Sequence, residues 1–260
     1  MGFKICSLSS GSSGNCIFVS SDTTQILVDA GVPASFALNC LEALGAKKQP
    51  LHILITHTHS DHISNLAKLS REFDSKVFIH YTAAPIKYKT VACTQFDTNE
   101  FMVGDIKVTP IPVPHDVPCM GYKLKSGGGT ISILTDLGRV DKFTLDAVTG
   151  SDICYIESNH DVDMLKRCSY PYVLKQRILS NIGHLSNEQA ARVCMHLYQT
   201  GTKQFILGHL SEKGNTQELA LDTVNAALNS IDAKEGIDYF IETAPRHSMS
   251  GLYKIDLSSK

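Results

Sequence analysis

Apolar residues in this chain come in short runs, and many of the runs stop at a histidine or a carboxylate. The pattern predicts strands over 3–8, 16–20, 25–28, 52–56, 76–80, 90–95, 105–113, 120–125, 130–135, 152–156, 204–207, 239–241 and 251–255. Helices are predicted over 35–44, closed by Gly45, over 63–73 and over 215–228. A further helix starts at Ser186, where Ser186 and Gln189 make a capping box and Ala190, Val193, Cys194 and Leu197 repeat at helical spacing. Asn215 and Glu218 read as a second capping box. Pro110, Pro112 and Pro114 interrupt the strand over 105–113 and predict an edge or an end, so the chain leaves the sheet at His115-Asp116. The strands fall into two clusters, each followed by helices, which is an α/β layered arrangement in one domain over 1–260.

Composition narrows the class. With 260 residues, 43% of them hydrophobic and 19% charged, the chain can bury a sizeable core, and disorder is excluded. A net charge of −2 excludes a generally basic coat, though it allows a local basic groove. No apolar run approaches the ~18 residues needed to span a membrane, and the N-terminus has no apolar leader core. None of the eight cysteines forms a CxxC-type pair, which suits free thiols in a reducing compartment. The expectation is a soluble cytoplasmic protein of undetermined oligomeric state.

The candidate chemistry starts at Leu54-Ile55-Thr56-His57-Thr58-His59-Ser60-Asp61-His62, three histidines and an aspartate directly after a buried run. His57 and His59, at i and i+2 in an extended segment, point to the same side. Asp29 stands at a strand tip before a glycine, suited to supporting a metal ligand from beneath. His115 follows a strand end as His57 does. Asp136, also at a strand tip, can bridge two cations with its two oxygens. Glu157-Ser158-Asn159-His160-Asp161 closes another apolar run, and His160 lies close enough to face a site there. His184 precedes a helix N-terminus, where a phosphate is favoured. The small-residue stretch from Ser9 to Cys16 either brings backbone N–H groups to an anion, through Ser13, Gly14 and Asn15, or is a plain hairpin turn. Arg139, Lys166 and Arg167 are candidate contacts to backbone phosphates, and Lys166, Arg167, Lys175 and Arg177 make the most basic part of the chain, otherwise a solvated helix face. His52, His80, His196 and His247 carry no motif.

Taken in order, Asp29, His57-x-His59-x-Asp61-His62, His115, Asp136 and His209 resemble the five motifs of the metallo-β-lactamase fold, an αββα four-layer sandwich, over essentially the whole chain. Four segments look like the bacterial YycJ/WalJ-like branch, whose members are regarded as exonucleases or phosphodiesterases. They are Ser10-Gly11-Ser12-Ser13-Gly14-Asn15-Cys16, Glu157-Ser158-Asn159-His160-Asp161, His184-Leu185-Ser186-Asn187-Glu188-Gln189 and His209-Leu210-Ser211. The glutamate and the histidine before the helix also resemble tRNase Z. The chain has neither the long exosite arm of tRNase Z nor the β-CASP insertion of RNase J-type nucleases.

The resemblance implies two divalent cations. One takes His57, His59 and His115, the other Asp61, His62 and His209, with Asp136 bridging and Asp29 beneath. Imidazole and carboxylate donors suit Zn, Mn, Fe or Ni without choosing among them. A hydroxide between the cations is the implied nucleophile. Asp61, Glu157 and His184 are the implied catalytic residues, with His184, oriented by Glu157, as the general acid for the leaving oxygen. The first functional reading is a phosphodiesterase acting on nucleic acid, a DNA exonuclease. The alternative is a small-molecule hydrolase (cyclic phosphodiesterase, lactonase or thioesterase), and a third reading is a metal-binding accessory protein without activity. Oxygen-reducing diiron relatives are disfavoured, since their HxExD pattern has an acid where this chain has His59.

Overall fold

The structure, a computed structural model, describes residues 2–46, 51–83 and 91–256. The first half runs β1 (Gly2–Ser9), β2 (Cys16–Ser20), β3 (Gln25–Val28), α1 (Ala34–Ala43), β4 (Leu51–Leu54), α2 (Ser60–Ile63), α3 (Leu66–Glu72), β5 (Val77–His80), β6 (Cys93–Phe96), β7 (Phe101–Val103) and β8 (Ile106–Val113). The second continues with β9 (Cys119–Ser126), β10 (Gly129–Leu134), α4 (Lys142–Val148), β11 (Ile153–Glu157), α5 (Val162–Arg167), α6 (Tyr172–Ile178), α7 (Asn187–Gln199), β12 (Gln204–Gly208), α8 (Gln217–Asn229), β13 (Phe240–Thr243) and β14 (Tyr253–Asp256). The strands make two seven-stranded sheets, in the orders β14-β1-β2-β3-β4-β5-β6 and β13-β12-β11-β10-β9-β8-β7. Both are mixed. β3 to β6 run parallel in the first, as do β10 to β13 in the second, while β1 pairs antiparallel with β14 and β2, and β7 pairs antiparallel with β8.

Packing divides the chain into two compact units. The first is Met1–Pro110, Leu124–Gly129 and Pro245–Lys260, and the second is Ile111–Lys123 and Thr130–Ala244. The first unit packs Leu8, Phe18, Leu27, Ile53, Leu69 and Val77 into its core. The second packs Leu134, Ile156, Val193, Leu197, Phe205 and Val224. β4 and β11 each lie between two parallel neighbours and have both faces covered, so their sequences read as continuous apolar runs. The C-terminal ends of parallel strands share one sheet edge, and ligand sites in such sheets form at that edge. In the first unit Asp29 follows β3 and His57 follows β4 there; in the second Asp136, Glu157 and His209 end or follow β10, β11 and β12.

Several predicted elements differ in detail. The helix over 63–73 is two helices, because Ser64 Oγ and Asn65 Nδ2 both donate to Gly31 O, at 3.1 and 3.2 Å, while Asn65 N donates to Ala30 O. Side chains that bond nearby backbone compete with helical continuation. The second capping box is not formed. Thr216 is the N-cap of α8, its hydroxyl accepting from Leu219 N, and Asn215 instead bonds Asn187 and Ser158. The prolines mark an end, as predicted, since β8 stops at Val113 before Pro114 and His115, but not an edge strand, since β8 lies between β9 and β7. β7 pairs only with Ile106, Lys107 and Val108, so beyond that point β8 has an open side, where Pro110 and Pro112, two residues apart, need no ladder donor. The strand over 90–95 is β6, and Thr90 lies outside the described residues. The short elements β7, α4, α5 and α6 show too little periodicity over three to seven residues to be read from pattern.

Asp105, in the turn between β7 and β8, fastens the first unit. Its carboxylate accepts from Ser21 Oγ at 2.6 Å, Thr23 Oγ1 at 2.7 Å and Ser126 Oγ at 2.8 Å. Partial burial on its own would raise this carboxyl, but the hydroxyl donors outweigh it and hold the pKa well below the usual carboxylate range. A depressed carboxyl stabilises the fold above its unfolded pKa of about 4, and that contribution is lost as pH falls through the folded value. Asp105→Asn is therefore expected to melt at lower temperature than wild type near neutral pH. The difference should narrow as pH drops below about 4, as checked by thermal melts across pH.

Candidate metal centre

In the first unit, Asp29 adopts a left-handed backbone with φ of 67°, a conformation that Asp tolerates better than most residues. Its carboxylate is 2% exposed and accepts from Thr56 N and Thr56 Oγ1, both at 2.8 Å, and from His62 Nδ1 at 2.6 Å. Thr56 has one hydroxyl proton, which goes to Asp29. At 3.0 Å from His57 Nδ1 the same oxygen must therefore accept, which places the proton of His57 on Nδ1. Both His57 and His62 then carry their lone pair on Nε2.

The i, i+2 expectation for the two histidines holds. His57 Nε2 and His59 Nδ1 face each other at 3.1 Å. His59 is the N-cap of α2, so Asp61 and His62 ride on the first helical turn, with His62 Nε2 3.4 Å from Asp61 Oδ2. Asn15 completes this group. Its Oδ1 accepts from Gly11 N at 2.7 Å, which turns Nδ2 toward Asp61 Oδ2 at 3.1 Å and His62 Nε2 at 3.0 Å. Gly31 allows the approach, because a Cβ there would run into the carbonyl of Asp61 and the amide of Asn15.

The second unit gathers Asp136, Glu157, His184 and His209, each offering one ligand atom within 4.8 Å of the others. Asp136 and His209 are both left-handed, with φ of 56° and 55°. Glu157 is fully buried and spends its whole carboxylate on four donors. Oε1 takes His184 Nδ1 at 2.7 Å and His209 Nδ1 at 2.8 Å, while Oε2 takes Leu137 N at 3.1 Å and Leu185 N at 3.3 Å. Burial alone would raise this carboxyl, and the two imidazoles, His184 foremost, outweigh it and keep it ionised below the usual range. Asp136 Oδ2 accepts from Thr135 Oγ1 at 2.6 Å, and Oδ1 lies 3.6 Å from His209 Nδ1. His115 donates from Nδ1 to Gly183 O at 3.2 Å, and its Nε2 lies 3.2 Å from Asp116 Oδ1, a carboxylate held in turn by Arg177. Burial pushes the His115 pKa down, against the pull of Asp136.

Other predicted residues stand apart from these groups. Ser13 is exposed, while Gly14 is buried against Gly31. His160 is 1% exposed, its Nδ1 has no hydrogen-bond partner among the described residues, and burial lowers its pKa to about 4. Arg139 is exposed, and its charge acts on Asp141. Lys166 and Arg167 are exposed on α5 beside Asp163, at 3.9 and 3.7 Å.

Sequence reasoning passed over Thr56, whose place directly before the first histidine was the available signal. It also passed over a buried set of small polar side chains. Asn159 Nδ2 holds His209 O at 2.8 Å, and Ser158 Oγ, Asn187 and Asn215 bond one another at 2.7–2.9 Å. No helix among the described residues is long and apolar enough to cross a membrane.

The donors fit a divalent cation. Hydrogen bonds from Nδ1 to Thr56, Asp29, Gly183 O and Glu157 orient His57, His62, His115 and His209 so that Nε2 is the atom that could ligate a cation. The convergence of His57 Nε2 and His59 Nδ1 suits a shared cation.

The metallo-beta-lactamase superfamily model matches residues 10–128. The exodeoxyribonuclease WalJ of Streptococcus pneumoniae serotype 2 (strain D39) is 34% identical over 257 residues, covering 94% of this chain and 96% of that protein. The exodeoxyribonuclease YycJ of Bacillus anthracis is 35% identical over 242 residues, covering 88% of this chain and 90% of that one. Among solved structures, the metallo-beta-lactamase fold protein YhfI from Bacillus subtilis superposes with a TM-score of 0.75 at 16% identity, over 98% of this chain and 100% of that one, a likeness of fold. Two mixed sheets flanked by helices, with histidines and aspartates at the strand ends, are thus the metallo-β-lactamase fold of a metal-dependent hydrolase. The chain belongs to the metallo-β-lactamase superfamily, with the exodeoxyribonucleases WalJ and YycJ as relatives over most of its length.

Proposed function

We propose that this protein is a dinuclear, divalent-metal-dependent phosphodiesterase that degrades DNA as an exonuclease. The observation that carries the reading is the Glu157 carboxylate, shared between His184 Nδ1 and His209 Nδ1. It ties a proton donor to a metal-ligand candidate, and a phosphodiester, with its poor alkoxide leaving group, needs that donor.

His57, His59 and His115 would hold one cation and Asp61, His62 and His209 the other, with Asp136 as a ligand available to both, and we take 1–260 as one functional domain. Zn, Mn, Fe and Ni all suit the donors. When bound, such cations supply an acidified water and a clamp on the phosphoryl oxygens. His184 holds a proton at Nε2 while Nδ1–H donates to Glu157. As the P–O bond to the leaving oxygen breaks, that proton passes to the oxygen. Glu157 steadies the imidazolium before transfer and keeps the ring oriented after it. Asp29 and Thr56 fix His57 and His62, and Asn15 aims its two amide N–H groups at Asp61 Oδ2 and His62 Nε2; with the His62 Nε2 lone pair given to a cation, the second N–H would turn to a substrate oxygen. All eight cysteines are free thiols, which supports a cytoplasmic setting.

The test is a substrate panel of 5′-labelled DNA, labelled RNA and a small chromogenic phosphodiester, with Mn²⁺ or Zn²⁺ supplied. The reading expects stepwise shortening of DNA. Turnover of the small diester alone would replace it with the small-molecule hydrolase.

A further inference from the structure

Within the second unit a cleft of about 410 Å³ opens beside α5, lined by Asp161, Met164, Arg167, Cys168, Lys213 and Leu219. Its polar character is cationic. Arg167 and Lys213 are the bases, Arg167 in an exposed pair with Asp163 at 3.7 Å, and the one acid of the lining, Asp161, is engaged as the N-cap of α5, accepting from Met164 N at 2.6 Å. Lys213 Nζ stands 5.6 Å from the centre of the Tyr170 ring, whose hydroxyl accepts from Ser211 Oγ at 3.3 Å. Met164 and Leu219 add apolar surface. Cations beside apolar surface suit single-strand binding, with phosphates held by charge and a base laid on the apolar wall.

The cleft is also close to the proposed chemistry. Lys213 lies four residues after His209, and Asp161 four after Glu157. Four residues of chain reach at most about 14 Å. Both segments are tied down, Ser211 N to Asn159 O at 2.8 Å and Asp161 N to Gly214 O at 3.0 Å. A few stacked nucleotides, at ~3.4 Å each, cover that span.

We propose that this cleft seats the single-stranded DNA next to the bond being cut. Arg167 and Lys213 hold its phosphates, Tyr170 steadies the Lys213 ammonium from beside the cleft, and Met164 and Leu219 take the face of a base. The volume, toward the small end of ligand pockets at ~300–1,000 Å³, suits one nucleotide. This rests on the nuclease reading and deepens it by adding a strand-binding subsite outside the ligand set.

Two measurements test it on chelated protein, where strands bind without being cut. In the first, fluorescence anisotropy follows a labelled oligothymidylate as salt is raised. Each phosphate contact contributes about 0.7 to the slope of log affinity against log salt, so Arg167→Ala/Lys213→Ala should lower the slope by about 1.4. The second uses Cys168 as a reporter. In Cys93→Ser protein it is the one remaining half-exposed cysteine, and the oligothymidylate should slow its reaction with a thiol reagent several-fold. Unchanged slope and unchanged labelling, with DNA still bound and cut by wild type, overturn the cleft and leave the nuclease reading standing. Failure of wild type to bind or cut DNA overturns both.

Discussion

Glu157→Ala is expected to lower DNA turnover by about 10²–10⁴-fold and to cost about 3–5 kcal/mol of stability. The loss is double because the carboxylate serves two ends. It accepts His184 Nδ1 and His209 Nδ1 on one oxygen, and the amides of Leu137 and Leu185 on the other. Leu137 and Leu185 are themselves 0% exposed, so two backbone N–H groups would be left buried without an acceptor, at about 1–3 kcal/mol each. His209 would also lose the bond that fixes its tautomer, and such a loss weakens metal binding by about 10–100-fold. His184→Ala separates these effects. Its side chain is 14% exposed and bonds no backbone amide, and Glu157 keeps His209 and two amides as donors, so turnover should fall over the same range and metal content stay near wild type, with a smaller loss of stability than in Glu157→Ala. Wild-type DNA turnover in His184→Ala would remove the leaving-group role from this histidine.

His59→Ala and Asp61→Ala are expected to lower turnover by about 10³-fold or more, because each would delete a donor from a proposed cation whose electrostatic contribution is several kcal/mol. Asp61 is 20% exposed and His59 half-buried, on a turn that other contacts hold in place, including Asn15 N to Asp61 O at 2.8 Å. Both variants should therefore fold, bind less metal by elemental analysis and fail on every phosphodiester. His57→Ala is a harsher change, since His57 is 0% exposed and its removal leaves a cavity beside Thr56 and His62. Full metal content and activity in Asp61→Ala would take this carboxylate out of the proposed ligand set.

The strands were legible because most of them are apolar runs with both faces covered, and β2 and β3 fall at the predicted residues. The histidines and carboxylates were legible for a related reason. Asp29, His57, Asp136, Glu157 and His209 stand at or just after the ends of such runs, and sheet register turns a position in sequence into a place on an edge. The contact between His184 and Glu157, 27 residues apart, came from resemblance and is now a 2.7 Å hydrogen bond. What stayed hidden depends on tertiary packing. The break at Ser64–Asn65 requires the carbonyls of Ala30 and Gly31 to be near, and Asn215 leaves its expected capping role because Ser158 and Asn187 offer buried partners. Short helices such as α5 depend on one capping aspartate, a signal too local for periodicity to register.

The central claim is that divalent metal and DNA meet at one hydrolytic centre, and metal restoration tests it most directly. Protein stripped by chelator is mixed with 5′-labelled single-stranded DNA, and Mn²⁺ or Zn²⁺ is returned stepwise. The account predicts no cleavage in the stripped protein and stepwise shortening of the strand that returns with metal, saturating near two ions per chain. DNA shortening that persists undiminished in the stripped protein, or DNA left intact at every metal concentration while a small diester is hydrolysed, would contradict it.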